Sequence, residues 1–383
     1  MASANCCGES SVNDLNVEAA VRERYSAAAQ QPEAALCCPV SYDRKFLEVI
    51  PAEIIERDYG CGDPSKHLRT GEVVLDLGSG GGKICYIAAQ VVGANGRVIG
   101  VDCNDEMLGL ARKHQEAIGD KLGYHNVEFR KGKIQDLRLD LTLFEQYLAT
   151  NPVRTSSDWL HAEEQANSLR LSQPLVADNS VDVVVSNCVL NLVRTEDRQQ
   201  LFSELFRVLK PGGRAVISDI VSSDDVPTEL QADPKLWSGC ISGAYREDRF
   251  LEAFASVGFH GVEIVERQME AWATVDRFEF RSLTVRAFKP IPTSTRDFRH
   301  AVIYRGPWKS VTTDFQMELT RGERVDVCEA EFAMLSQPPY RDDVVALPNA
   351  NLEIGAAPEL TPLMVLGETS TGSGCGSPGS GCC

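Results

Sequence analysis

Residues 71–82, GEVVLDLGSGGG, form a short apolar run that leads directly into a cluster of glycines. An apolar run bounded by glycine is typical of a buried β-strand. Glycine also lets the backbone turn tightly and approach a ligand closely. The next residues, KICYIAAQVVG (83–93), favour a helix. We therefore predict a strand, a ligand-binding turn and a helix in this order.

The alternation of strand and helix continues on the C-terminal side of this stretch. We predict further strands at 97–104, 126–134, 180–192 and 214–221, and helices at 105–119 and 198–213. Such alternation is typical of a parallel sheet with helices on both faces, so the predicted fold class is α/β. Residues 137–174 lack a strong period but contain two helical stretches, LTLFEQYLAT and DWLHAEEQANSL, and we expect an insertion there.

The chain on either side of this alternation has a different character. Before it, we predict a helix over 16–29, with Asp14 or Asn16 as its cap, and helical structure over 42–58, where Pro51 starts a fresh helix. After it, strand-like runs such as VEIVER and AVIYRG favour a smaller α+β domain. The expected regions are a disordered N-terminus at 1–15, a sheet domain at 16–222, a helical segment at 223–262, the α+β domain at 263–350 and a flexible Gly/Ser/Cys tail at 351–383.

The charge of the chain limits the classes of partner. Its 383 residues include 38 Lys and Arg against 55 Asp and Glu, which gives a formal net charge of −17. A chain this acidic repels nucleic acid and anionic lipid, so we expect neither as a partner. The sequence has no apolar run long enough to span a bilayer and no N-terminal signal pattern. We expect a monomeric protein of the cytoplasm.

Cysteine is frequent, with 13 residues in the chain. A disulfide scaffold is not expected in a chain of this length without a signal peptide. A zinc site is not expected either, because there is no CxxC pair and no histidine at ligand spacing. Each cysteine therefore either packs in the core or serves as a soft ligand. The cysteines are Cys6, Cys7, Cys37, Cys38, Cys61, Cys85, Cys103, Cys188, Cys240, Cys328, Cys375, Cys382 and Cys383.

The glycine turn is followed by other residues suited to bind a nucleotide-like cofactor. Asp76, Gly78, Gly80 and Gly82 lie at the end of the first predicted strand, although glycines at this spacing also occur in nicotinamide-binding folds. Asp102 ends the second predicted strand, where a carboxylate can accept hydrogen bonds from ribose hydroxyls.

The third and fifth strands extend this pattern. Ile134 follows the third strand, where it can flank an adenine ring, and LKPGGRAVISD (209–219) combines a helix end, a sharp turn and a strand. Together with the glycine turn, these motifs resemble the class I methyltransferases that use S-adenosylmethionine (SAM), over roughly residues 70–222. The resemblance implies a Rossmann-like sheet and SAM as co-substrate, with no metal cofactor. A nicotinamide enzyme is the alternative.

The fourth predicted strand ends at SNCVLN (186–191). Ligands of open α/β sheets bind beyond the carboxyl ends of the strands. Asn187 is therefore a candidate for contact with the cofactor, and the thiol of Cys188 lies where a methyl acceptor should be.

Three cysteine motifs carry a more specific resemblance. YGCGDPS around Cys61, SNCVLNL around Cys188 and LWSGCISGA around Cys240 resemble those of the arsenite methyltransferases, as do AVIYRGPWKSV (301–311) and LTRGERVDVCEAEF (319–332). The resemblance implies that Cys188 and Cys240 bind arsenic, that Cys61 adds a third sulfur during turnover, and that Cys38 relays electrons by disulfide exchange with Cys61. The resemblance also implies that 223–262 is an arsenic-binding segment. Tyr59 matches a tyrosine near the methyl donor, with ordinary packing as the alternative.

This resemblance implies detoxification of arsenic by methyl transfer to arsenite or its thiol conjugates, with glutathione or thioredoxin as the reductant. Trivalent arsenic is soft and selects thiolates. The doublet CCPV leaves Cys37 as an alternative relay, and the terminal cysteines either capture arsenite or belong to solvated tails. Two rival functions stay open. One is a methyltransferase for another metabolite, such as a quinone precursor, which would need a general base that SNCVLN does not supply. The other is a non-catalytic metalloid-binding protein, which the glycine turn and Asp102 do not favour.

Overall fold

A computed structural model of the chain describes residues 16–33, 36, 40–291 and 298–349. Its helices are α1 (Val17–Ala28), α2 (Arg44–Leu47), α3 (Ala52–Glu56), α4 (Lys83–Val92), α5 (Asp105–Leu122), α6 (Leu141–Thr150), α7 (Ser156–Ser172), α8 (Arg198–Val208), α9 (Thr228–Gln231), α10 (Pro234–Ser238), α11 (Glu247–Ser256) and α12 (Glu329–Leu335). Its strands are β1 (Val73–Leu77), β2 (Arg97–Asp102), β3 (Val127–Lys131), β4 (Val181–Asn187), β5 (Leu209–Ser222), β6 (Tyr245–Arg246), β7 (His260–Arg267), β8 (Ala273–Val275), β9 (Phe278–Phe288), β10 (Phe298–Tyr304), β11 (Ser310–Thr312), β12 (Glu318–Thr320), β13 (Arg324–Cys328) and β14 (Val344–Leu347).

Several predictions concern residues outside these ranges. They are the disorder of 1–15, the flexible tail at 351–383, the relay role of Cys38 or Cys37, and the part played by the terminal cysteines Cys6, Cys7, Cys375, Cys382 and Cys383.

The main sheet has the strand order β3-β2-β1-β4-β5-β9-β7, with β6 paired to β5 and β8 paired to β9. The strands β1 to β5 run parallel, whereas β9 runs antiparallel to both of its neighbours. The predicted α/β fold is thereby confirmed. Strand order reverses between β1 and β4, and a crevice opens at such a switch point beyond the carboxyl ends of the strands.

Side chains of β1 alternate between two hydrophobic cores, one on each face of the sheet. Val74 packs with residues of α4 and α5, while Leu75 and Leu77 pack with residues of α8 and α11. This alternation follows from the two-residue period of a strand. Because both faces are covered, the strand is a continuous apolar run in the sequence rather than an alternating one.

The predicted helices of the N-terminal region and of the insertion are confirmed. Asn16 caps α1 by accepting a hydrogen bond from the backbone N–H of Ala19, at 3.0 Å. Pro51 precedes the first residue of α3. The two helical stretches between 137 and 174 form α6 and α7, and no helix among the described residues is long and apolar enough to cross a bilayer.

Three expectations differ from the structure. The strand predicted over 180–192 ends at Asn187, and a short 3-10 helix follows at Leu190–Leu192. The helix predicted over 198–213 ends at Val208, because Pro211 disfavours helical backbone at the residue before it and the chain enters β5 instead. The main sheet also continues beyond residue 263, where the α+β domain was expected to begin. The strands β7 and β9 complete this sheet, since Phe280, Leu283 and Val285 of β9 are fully buried in its cores. The separate three-stranded sheet, β13-β10-β14, begins only at Phe298.

A buried ion pair joins the residue before β1 to β5. Arg214 donates to both carboxylate oxygens of Glu72, at 2.7 and 2.9 Å, and the two side chains are only 6% and 13% exposed. Removal of one partner leaves the other charge buried without compensation. We therefore expect Glu72→Ala to lower the free energy of unfolding by about 3 kcal/mol in urea denaturation. Asp326→Ala, which removes a largely exposed partner of Arg324, should leave it nearly unchanged. Equal effects of the two substitutions would contradict this expectation.

Candidate active site

A cavity of about 480 Å³ opens beyond the carboxyl ends of β1, β2 and β4. This volume is in the range of pockets for small ligands. Most of the residues predicted for the cofactor site line it, namely Tyr59, Asp76, Gly78, Gly80, Asp102, Ile134 and Asn187. Cys188 also lines it, so the cavity reaches from the glycine turn to the first of the predicted ligand thiols.

Gly82 is the exception, because it does not line the cavity. It occupies the position before α4 with a φ of 88°, and an added Cβ would lie 2.8 Å from the ring of Phe129. Its role is therefore to start α4 close to the sheet.

The glycine turn is tied to the end of β2. The backbone N–H of Gly80 donates to Asp102 Oδ2 at 2.9 Å, and Asn104 N–H donates to Asp102 Oδ1 at 2.9 Å. Burial raises the pKa of the Asp102 carboxyl, and these backbone hydrogen bonds oppose that shift. At Gly78, φ is 70° and an added Cβ would lie 2.4 Å from the side chain of Val189, so glycine is required for the close packing of the turn against Val189.

Asp76 lies beneath this turn, with only 2% of its surface exposed. Burial raises the pKa of its carboxyl to about 7, and a hydrogen bond from Cys85 Sγ, at 3.1 Å, acts in the opposite direction. Cys85 is fully buried, so of the two roles open to each cysteine the structure favours packing in the core here.

Tyr59 connects the loop that carries Cys61 to α1. Its hydroxyl donates to the carbonyl of Ala28 at 2.9 Å and accepts from the N–H of Glu33 at 3.1 Å. Its ring meets that of Tyr25 edge to face, with centroids 6.1 Å apart. Tyr59 thus has a packing role and also borders the cavity.

Asn187 clamps the Cys61 loop against the end of β4. Its Oδ1 accepts from the N–H groups of Cys61 and Gly62, at 2.8 and 3.0 Å. Its Nδ2 donates to the carbonyl of Gly62 at 2.8 Å and to the hydroxyl of Tyr42 at 3.2 Å. An added Cβ at Gly60 would lie 2.1 Å from this amide, so glycine is required for the close approach. The amide predicted to contact a cofactor therefore holds the loop in place.

The structure brings together the three cysteines that the sequence motifs single out. The sulfur atoms of Cys61 and Cys188 and a carboxylate oxygen of Asp219 all lie within 4.8 Å of one another. The thiol of Cys240 hydrogen-bonds with that of Cys188, and its Sγ lies 3.1 Å from the Cys188 carbonyl oxygen. Each of the three cysteines is 5% exposed or less. Segments far apart in the sequence thus form one buried sulfur cluster, which we define as Cys61, Cys188 and Cys240.

The backbone is strained at two members of the sulfur cluster. Cys188 has a φ of 64° and Cys240 a φ of 61°, both in the left-handed region. This conformation is unfavourable for a residue with a side chain, by about 1 kcal/mol or more. Strain of this kind concentrates at functional sites, where the surrounding structure maintains it.

The environment of the sulfur cluster keeps two of its thiols protonated. The hydrogen bond with Cys240 lowers the pKa of Cys188, whereas the contact with Cys61, burial and the charge of Asp219 all raise it. The net effect places this pKa well above its usual range. The pKa of Cys240 is likewise raised, by its hydrogen bond with Cys188 and by burial. Both groups are therefore neutral at physiological pH.

Sequence reasoning missed the acid beside the sulfur cluster. Asp219, in β5, is fully buried, and burial raises the pKa of its carboxyl to about 7. It accepts four hydrogen bonds, from Leu190 N, Asn191 N, Asn191 Nδ2 and Ile220 N. A signal was present, because Asp219 is the one acid in the otherwise apolar strand sequence RAVISDIV.

Tyr25 of α1 was also missed. Its hydroxyl hydrogen-bonds the thiol of Cys240, and its side chain lines the cavity. Nothing in the local helix pattern VEAAVRERYSAA indicates this contact, which depends on how α1 packs over the sheet.

Arg198 connects the loops that follow two of the cysteines. Its guanidinium donates to the carbonyls of Asn191, Val193 and Gly243, at 3.3, 3.1 and 2.6 Å. It also lies over the ring of Tyr245, 4.6 Å from the centroid. Because these loops flank Cys188 and Cys240, the buried cation fixes their relative position.

Most of the chain is similar to known proteins. A methyltransferase domain matches residues 68–156 and 161–258, and a domain of unknown function matches 293–361. An arsenite methyltransferase of Aquipseudomonas alcaligenes is 32% identical over 320 residues, which cover 79% of this chain and 82% of that protein. The arsenite methyltransferase of Homo sapiens is 29% identical over 317 residues, covering 80% and 75%. The crystal structure of an arsenic(III) S-adenosylmethionine methyltransferase from Chlamydomonas reinhardtii matches with a TM-score of 0.55 and 27% identity, over 84% of this chain and 98% of that one.

The raised pKa values predict how the two thiols react with iodoacetamide, which consumes only the thiolate. In the reduced protein, alkylation of Cys188 and Cys240 should still accelerate above about pH 9, because their pKa values lie well above 9.0. Glutathione, as the control thiol, should level off near its ordinary pKa of about 8.5. Peptide mapping by mass spectrometry measures both rates, with circular dichroism to verify folding at each pH. A plateau below pH 9 for either cysteine would contradict the expectation.

Proposed function

The chain belongs to the arsenite methyltransferases, and we propose that Cys61, Cys188 and Cys240 hold its arsenic during the reaction. The enzyme transfers a methyl group from SAM to trivalent arsenic. Membership of this family sets aside the alternatives of a nicotinamide enzyme, a methyltransferase for another metabolite and a non-catalytic binding protein. The observation that supports the ligand assignment is the buried sulfur cluster beside the cavity.

The cavity suits SAM on three grounds. Its volume fits a small ligand. The glycine turn borders the cavity through Gly78, Gly80 and Gly81, where no side chain restricts the approach of a ligand to the backbone. The carboxylate of Asp102 stands at the end of β2, where ribose hydroxyls are held in related folds. We propose that SAM contacts Tyr59, Asp76, Gly78, Gly80, Asp102, Ile134 and Asn187, all of which line the cavity, while Gly82 supports the site by starting α4 close to the sheet.

The protonation state of the thiols in the sulfur cluster determines how the charge balances when arsenic binds. Arsenite is a neutral trihydroxide at physiological pH, and the thiols of Cys188 and Cys240 are neutral as well. As each As–S bond forms, one thiol proton leaves with one hydroxide as water. With three sulfurs, three waters are released and no net charge enters the buried site. This matters because an uncompensated charge is costly to bury.

Methyl transfer requires the arsenic lone pair to face the donor. Three As–S bonds form a pyramid that leaves this lone pair free, and Cys188 borders the cavity directly. SAM supplies a methyl group on a positively charged sulfur. Holding the two reactants in line can lower the barrier by several kcal/mol, out of the roughly 7–11 kcal/mol available from proximity.

We further propose that cysteines restore trivalent arsenic after the transfer. The Cys38 thiolate would attack the Cys61 sulfur, and the electron pair of the As–S bond would return to arsenic. Arsenic is thereby reduced from the pentavalent to the trivalent state, while two sulfurs are oxidised to a disulfide. Glutathione or thioredoxin would reduce that disulfide by exchange. This chemistry needs a reducing compartment, so we propose that the enzyme acts in the cytoplasm. We also propose that one copy of the chain is sufficient, because all of the proposed ligand cysteines belong to a single chain.

The ligand assignment predicts the effect of single serine substitutions. Cys61→Ser, Cys188→Ser and Cys240→Ser should each reduce arsenite methylation to background, because oxygen is a poor ligand for soft trivalent arsenic. Speciation of the arsenic products after incubation with SAM, a thiol and arsenite measures this. Cys328→Ser, which alters a buried cysteine of the separate C-terminal sheet, is the matched control and should stay active. Full activity of Cys188→Ser would refute its role.

The proposed donor site predicts a loss of affinity for the methyl donor and its product. Asp102→Ala removes the proposed ribose contact and frees the N–H of Gly80. We expect S-adenosylhomocysteine to bind roughly 10- to 100-fold more weakly, as for loss of a hydrogen bond to a charged group. Isothermal titration calorimetry measures this. Asp120→Ala, at an exposed carboxylate near the far end of α5, serves as the control. Unchanged affinity in the Asp102 variant would remove Asp102 from the donor site.

A further inference from the structure

We propose that the carboxylate of Asp219 stabilises the positive charge that methyl transfer places on arsenic. This inference rests on the proposed arsenic site and gives that site an electrostatic component in addition to its sulfur ligands. It concerns a residue that binds neither the methyl donor nor, through its own oxygens, the arsenic.

The position of Asp219 is the first ground. Its carboxylate oxygen lies within 4.8 Å of the sulfur atoms of both Cys61 and Cys188. The side chain is fully buried, so water does not screen its charge at this distance. An arsenic atom bonded to those two sulfurs would therefore experience the field of the carboxylate.

The charge balance of the reaction is the second ground. Before transfer, arsenic bonded to three thiolate sulfurs is neutral, and the donor sulfur carries one positive charge. The arsenic lone pair forms the new As–C bond while the C–S bond breaks, and the electron pair of the broken bond stays on the donor sulfur. Arsenic is thereby oxidised from the trivalent to the pentavalent state and carries the positive charge, whereas the donor becomes a neutral thioether. One unit of positive charge has moved from the cavity into the sulfur cluster.

A fixed anion at the cluster therefore favours the product side of this step over the reactant side. Interactions that are stronger in the transition state than in the ground state accelerate a reaction. Preorganised charges in sites that exclude water are the most effective of these. Asp219 satisfies both conditions, because its attraction to arsenic grows as the methyl group is transferred.

The surroundings of Asp219 favour its ionised form, against the burial that raises the pKa of its carboxyl to about 7. Its hydrogen bonds from Leu190, Asn191 and Ile220 hold both oxygens in place. Arg198 is the nearby cation that favours its ionised form, but the guanidinium donates to backbone carbonyls. In the part of the chain that the structure describes, no ion pair neutralises Asp219 directly.

The test is Asp219→Asn, which keeps the size and one acceptor oxygen of the side chain but removes its charge. With arsenite already bound, the single-turnover rate of methyl transfer should fall by roughly 10- to 100-fold. The dissociation constants for arsenite and S-adenosylhomocysteine should stay within about twofold of the parent values, because neither ligand brings a new charge to the cluster. A purely structural role of Asp219 would instead weaken arsenite binding, since the loop it holds carries Cys188.

A double variant keeps the test valid if Asp219→Asn does not fold. Asp219→Asn combined with Asn191→Asp exchanges the acid and the amide within a pair that hydrogen-bonds at 2.8 Å. The double variant restores one carboxylate to the pair. If both variants fold, we expect the double variant to transfer the methyl group at least about tenfold faster than Asp219→Asn. If only the double variant folds, we expect its rate to lie within about tenfold of the rate of the parent enzyme.

Either of two results would overturn the proposal for Asp219. One is a transfer rate within about twofold of the parent in Asp219→Asn with binding intact. The other is a parallel loss of rate and arsenite binding. The Cys188→Ser variant tests the ligand assignment separately from the role of Asp219, because loss of a ligand sulfur should abolish arsenite binding. If Cys188→Ser still binds and methylates arsenite, the assigned ligands are wrong whatever Asp219→Asn shows.

Discussion

The side-chain amide of Asn187 joins two segments that are 126 residues apart, and the active site depends on that junction. Asn187 ends β4 and directly precedes Cys188, while its amide binds the backbone on both sides of the Cys61–Gly62 peptide. The first cysteine is thereby held beside the second. A parallel sheet brings strand ends to one edge, but it does not position a loop that precedes the first strand. Asn187 supplies that missing constraint, and the absence of a side chain at Gly60 leaves room for it.

The sequence predicts the parallel part of the fold well and the antiparallel part poorly. Strand, glycine turn and helix are local patterns, so β1 to β5 and the helices between them follow from the order of residues alone. Pairing of β9 with β5 joins Ser218 to Thr284, and no local signal encodes a contact of that sequence separation. The three cysteines were found through motifs, not through geometry. Asp219 and Tyr25 were missed because their roles depend on packing between distant elements, although an acid within an apolar strand was a usable signal.

The chemistry of the site rests on how charge is distributed between its two halves. The proposed donor half is bordered by the acidic side chains of Asp76 and Asp102, at the ends of β1 and β2, and the proposed acceptor half contains the neutral thiols of Cys188 and Cys240. Asp219 adds a third buried acid, beside Cys61 and Cys188. Both halves of the site therefore contain acidic side chains, and burial strengthens their electrostatic effect.

The left-handed backbone at Cys188 and Cys240 places stability and chemistry in opposition. Glycine and asparagine adopt this conformation most readily, and neither carries sulfur. Replacing either cysteine by glycine should therefore relieve backbone strain and, under the proposed ligand assignment, remove a sulfur atom that arsenic needs. Stability and the proposed chemistry thus favour different residues at these two positions.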